Sequence, residues 1–144
     1  MKDFFLAGLI GLGVGFCVLP FWANIGRLPP VPISAAIVAG FIFLGLLAFA
    51  IFRFGGRFWA PLEQVGKFAA VGSLNTFLDL GIVNLLILLT SVAAGWTFSL
   101  FKAAGFLLAA TNSYFWNKFW TFQSRTPADW REYSFLVFLR FPAP

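Results

Sequence analysis

The sequence predicts an all-α protein, a polytopic transmembrane helical bundle with four spans. The 144 residues are 60% hydrophobic and only 10% charged. The apolar residues fall in runs of about 20, the length that crosses ~30 Å of hydrocarbon. The few charges cluster between those runs, except Asp79 and Lys102, which stand inside them.

The first span is expected over residues 4–22. Lys2 ahead of an apolar run has the look of a secretory leader. The run continues through Phe21 and Trp22, however, and no small-x-small cleavage site follows, so an uncleaved helix is expected. Ala7, Gly11 and Gly15 recur every fourth residue, with Gly8 beside them. Such a row lets helix backbones approach closely, and would dock either the second span or another copy. Cys17 is the single cysteine, which rules out an intrachain disulfide and a CxxC motif, and it is expected to pack as a small apolar side chain.

Asn24, Gly26, Pro29, Pro30 and Pro32 then make a turn, because clustered Gly and Pro interrupt helices. The second span follows over residues 31–52, completing an N-terminal transmembrane hairpin over residues 1–53. Residues 54–67 read as an interfacial linker. There Pro61 opens a helix that lays Phe58, Trp59, Leu62 and Val65 on the headgroups and turns Arg57, Glu63 and Lys67 to water. A second unit covers residues 64–144, with spans at 68–89 and 97–119. Beyond them, residues 133–141 begin an apolar pattern that Arg140 and the final prolines cut short, a short interfacial or truncated C-terminal helix.

The basic residues give the orientation. Lys2, Arg53, Arg57, Lys67, Lys118, Arg125 and Arg131 flank one set of span ends, whereas only Arg27 lies on the other side. The positive-inside rule puts the first set, and the N-terminus, in the cytoplasm. The same rule accounts for the net charge of +5 without a nucleic-acid partner. With no histidine and one cysteine, imidazole chemistry and Cys/His metal sites are excluded. A single membrane-embedded carboxylate is too little for acid–base catalysis, so neither enzymatic activity nor a cofactor is expected.

Charges inside a membrane are expensive and mark function by default. At 1.5 Å per residue, Asp79 lies roughly 16–18 Å up the third span and Lys102 about 9 Å down the fourth. In a core of ~30 Å the two therefore share nearly one depth on antiparallel neighbours, and an ion pair is available. Gly72, Asn75 and Thr76 share the stripe of Asp79, while Gly105, Ala109, Asn112, Ser113 and Trp116 share that of Lys102. Asn75 falls towards the depth of Asn112, with Asn117 nearer the cytoplasmic edge. This polar seam either holds a ligand or only glues the helices, and Lys102 either pairs or snorkels outward. The aromatic-rich end of the fourth span is either an interfacial belt or a platform where Tyr114, Asn117 and Lys118 meet a lipid phosphate or sugar.

The pattern Phe68-x2-Val71-Gly72-x2-Asn75-Thr76-x2-Asp79, followed by Asn112-Ser113-Tyr114-x2-Asn117-Lys118-x-Trp120-Thr121-Phe122, resembles the GtrA-like family over residues 64–140. The resemblance implies a small multi-pass protein of the bacterial cytoplasmic membrane, working in cell-surface polysaccharide synthesis. It implies movement of a polyprenyl-phosphate-linked sugar across that membrane, with a glycosyltransferase as partner. Gly72, Asn75, Asp79, Asn112, Asn117 and Lys118 match the family's signature positions. Together with Lys102, Asn75, Asp79, Asn112, Asn117 and Lys118 are the candidate substrate-binding residues. Family members typically carry four spans in this domain, whereas here two spans and a stub are legible; a homodimer would restore a four-helix core. The alternative is a non-transporting subunit that anchors or stabilises a glycosyltransferase through the basic segments 53–67 and 118–131.

Overall fold

The computed structural model describes residues 1–123, and the apolar stretch at 133–141 lies outside them. The described residues form four long helices: α1 (Lys2–Ile25), α2 (Val31–Gly55), α3 (Pro61–Thr90) and α4 (Gly95–Trp116). A π-helical turn, Asn117–Thr121, continues α4. The all-α bundle expected from the hydropathy is what forms. Three helices, α1, α2 and α3, are long and apolar enough to cross a membrane. Lys102, Asn112 and Ser113 make α4 more polar, although its 22 residues give it the length of a span.

The ends of the helices follow local chemistry. Pro32 sits in the first turn of α2, where its missing N–H was unpaired in any case, and the Ser34 hydroxyl donates to the Pro29 carbonyl across that turn. Ser91 closes α3 in the left-handed region at φ 57°, with its N–H on the Ile87 carbonyl. Pro61 does open a helix, but that helix is α3 itself and no separate interfacial helix precedes it. At 1.5 Å per residue the 30 residues of α3 extend about 45 Å, some 15 Å beyond the hydrocarbon thickness. Nearly three of its turns therefore project past the apolar layer, and Phe58 and Trp59 are exposed in the turn that precedes it.

Helix α1 is central, packed on α2 and α3, while α4 leans on α3. The small-residue row of α1 meets α2. A Cβ on Gly11 would collide with the backbone of Phe41 and Ile42, and one on Gly15 would lie 2.8 Å from the Val38 Cα. On the other side of α1, Cys17 fits where Gly81 of α3 has no side chain. The core comprises Ala7, Ile10, Val14, Phe49, Val71, Leu74 and Trp120. Most large side chains of α2 and α4 face outward, as a lipid-facing surface requires.

The beginnings of α1 and α3 and the ends of α2 and α4 converge at one pole. Arg53 lies over the Phe4 ring, Lys67 pairs with Asp3, and the Trp120 indole N–H donates to Asp3. Lys2, Arg53, Arg57, Lys67 and Lys118 thus share an end, opposite Arg27 in the α1–α2 turn.

A polar seam between α3 and α4

The seam exists because Gly105 removes a side chain where α4 crosses Asp79. A Cβ there would lie 2.5 Å from Asp79 Oδ1, 3.1 Å from the Asp79 carbonyl oxygen and 3.2 Å from Val83 Cγ2. The helices close on each other, and the two membrane-embedded charges meet: Lys102 Nζ donates to Asp79 Oδ2 at 3.1 Å. Lys102 pairs rather than only reaching outward, although its side chain is 46% exposed against 27% for Asp79. Oδ1 of Asp79 is buried, with no hydrogen-bond partner among the described residues.

One turn towards the basic pole, Asn112 Nδ2 donates to Asn75 Oδ1 at 2.8 Å. Both contacts that the depth arithmetic pairs therefore form across α3 and α4. Thr76 and Gly72 do not join them. The Thr76 hydroxyl bonds back to the Gly72 carbonyl, and a Cβ on Gly72 would meet nothing within 4 Å. Thr76 lies about 100° around the helix from Asn75, off the contact line, while Gly72 lies about 60° from Asn75 and a turn nearer the start of α3, where no neighbour comes within reach of its Cβ.

Asn117 and Lys118 form a second group in the π-helical turn. Asn117 Nδ2 donates to Ser113 Oγ at 3.1 Å, and Thr121 Oγ1 donates to Asn117 Oδ1 at 3.1 Å. Lys118 is buried, donates to the Tyr114 hydroxyl at 3.2 Å and sits 5.4 Å from that ring's centre. Tyr114 and Lys118, two residues of the expected platform, are thus in contact. The wider π turn rotates Lys118 out of ordinary α-helical register, and such turns concentrate at functional sites.

A third cluster escaped sequence reasoning. Lys67, 4% exposed, bridges Asp3 at 3.3 Å and Glu63 at 3.2 Å, while Trp120 holds the other Asp3 oxygen at 3.0 Å. The Glu63–Lys67 spacing of four was legible. Its tie to Asp3 depends on the packing of α1 against α3. Beneath it lies an open cavity of about 430 Å³ lined by Glu63, Gln64, Lys67, Thr121 and Gln123 among others. At the other pole, Asn24 of α1 donates to the side-chain and backbone oxygens of Asn84. No acidic, Cys or His cluster among the described residues is arranged to hold a metal.

The profile of the GtrA/DPMS transmembrane domain matches residues 67–142, a little over half of the chain. The chain belongs to this family. The match takes in Asn75, Asp79, Lys102, Asn112, Asn117 and Lys118, and leaves α1, α2 and the first two turns of α3 outside it. Comparison with curated proteins and with solved structures returned no match. Membership of the GtrA/DPMS family marks the chain as a multi-pass membrane protein of glycan-precursor biosynthesis, in a family that is generally non-catalytic.

Proposed function

We propose that this GtrA/DPMS-family protein moves a polyprenyl-phosphate-linked sugar across the bacterial cytoplasmic membrane, with its N-terminus in the cytoplasm and a glycosyltransferase as partner. The Asp79–Lys102 pair, stacked on Asn75–Asn112 along an α4 that touches one long helix, carries this reading. An ammonium has three donors. Lys102 gives one to Asp79, and its exposed flank leaves the others for a phosphate oxygen. The two asparagine amides suit sugar hydroxyls, and the polyprenyl chain stays in lipid.

The test is delivery of a fluorescent polyprenyl-phosphate sugar in proteoliposomes. Asp79→Asn and Lys118→Ala should abolish delivery while both proteins still insert. Normal delivery by both variants removes the mechanism. The second reading, an anchor for a glycosyltransferase, draws on the exposed Phe58 and Trp59 beside Arg57 at the basic pole. It predicts co-purification with a transferase and no lipid movement by the isolated protein.

A further inference from the structure

We infer that an anionic phosphate ligand entering the α3–α4 seam brings one proton with it, and that Asp79 takes that proton. The inference rests on the reading of the seam as a phosphosugar site and supplies what that reading lacks, a coupling ion.

Charge balance in oil sets the requirement. The Asp79 carboxylate has a single donor among the described residues, the Lys102 ammonium on Oδ2. Its other oxygen is sealed against Gly105 without a hydrogen-bond partner. Lys102, nearly half exposed, is the group that an incoming phosphate diester reaches. Once it does, the seam holds two anions and one cation, and a net charge within hydrocarbon is strongly disfavoured. The diester remains an anion at any physiological pH. The carboxylate can shed its charge.

Among the described residues, the groups around Asp79 offer no other compensation. On α4 the facing charge is Lys102, with Asn112 nearly three turns farther along, about 15 Å. From α1 the nearest titratable group is Cys17, packed at Gly81, a thiol that adds no cation. On α3 itself the neighbours are Asn75 and Val83. Arg53 of α2, with Asp3 and Lys67, lies at the basic pole. From Lys67 to Asp79 is twelve residues of α3, or about 18 Å. In the coupled step the Lys102 N–H bond turns from Asp79 Oδ2 to a phosphate oxygen, and one proton from water adds to Oδ2. The ligand contributes −1 and the proton +1, so the occupied seam is neutral like the empty one.

The experiment uses the full chain in zwitterionic nanodiscs with dihexyl phosphate as the monoanionic probe and trihexyl phosphate as its uncharged control. In weak buffer with a pH-sensitive dye, wild type should take up about one proton per dihexyl phosphate bound. Its affinity should fall about tenfold for each unit of rising pH, the linkage for one proton. The uncharged probe should show neither effect. In Asp79→Asn, whatever affinity remains should be flat with pH and bring no proton, and Lys102→Gln should not bind the anion. Lys102-dependent binding that is flat with pH and free of proton uptake overturns the coupling and leaves the phosphosugar reading standing. No binding, or binding untouched by Lys102→Gln, overturns both. The wild-type proton count decides the matter even if the Asp79 variant does not fold.

Discussion

Replacing Gly105 by alanine tests whether the seam depends on close approach of the helices. The added methyl would sit 2.5 Å from Asp79 Oδ1 and 3.1 Å from the Asp79 carbonyl oxygen, where ordinary contact begins at 3.4 Å. The carboxylate is tied to Lys102 and the carbonyl belongs to the helix, so α4 must retreat by several tenths of an ångström to almost one. A retreat of that size takes the 3.1 Å Lys102–Asp79 contact and the 2.8 Å Asn112–Asn75 bond towards or past the 3.5 Å limit of a hydrogen bond. Overpacking of this kind costs about 1–3 kcal/mol. Gly72→Ala is the matched control, one residue type on the same helix pair, with open space around its Cβ. It should be neutral or stabilising by up to about 1 kcal/mol, the ordinary gain of alanine over glycine in a helix. Unfolding of both variants in mixed micelles, followed by steric trapping, measures the difference. Equal stability of the two would refute the account of the seam.

Three further outcomes follow from the same geometry. Lys102→Met should destabilise the protein by about 3 kcal/mol, because it strands a membrane-embedded carboxylate, and the exchange Asp79→Lys with Lys102→Asp should recover part of that loss in the same unfolding assay. A double-mutant cycle of Asn75→Ala and Asn112→Ala should give a coupling of about 0.6–2 kcal/mol, whereas a cycle of Thr76→Ala with Asn112→Ala should give none. Asp3→Ala should cost about 2 kcal/mol by removing a charged acceptor from buried Lys67 and from the Trp120 indole, and should shift the tryptophan emission of the detergent-solubilised protein.

Much of this was legible because membrane helices turn sequence distance into depth. Rise per residue put Asp79 level with Lys102 and Asn75 level with Asn112, and both pairs form. Lateral facing is harder to read. Gly72 and Thr76 share the general stripe of Asn75, yet an interhelical contact is narrower than the stripe, and both fall outside it. The π turn that carries Lys118 shifts the register after Trp116, and no composition signal announces that turn. Pro61 marks a helix start whichever helix it begins, so a separate interfacial segment and the first turn of α3 look alike in sequence. The Asp3–Lys67–Trp120 cluster joins residues far apart in the chain, and their meeting depends on the crossing of α1 and α3.

The uneven way the rods are fastened has a mechanical consequence. Helices α1 and α2 are locked backbone to backbone at Gly11 and Gly15, and α1 is pressed equally closely onto α3 at Gly81. By contrast, α4 leans on α3 alone until its π-helical continuation, where Trp120 reaches Asp3 of α1 and the Phe49 ring of α2. Any opening of the protein within the bilayer is therefore expected to start at the Gly95 end of this outer strut, swinging about its Trp120 anchor, and the glycines of the first helix will take no part in it.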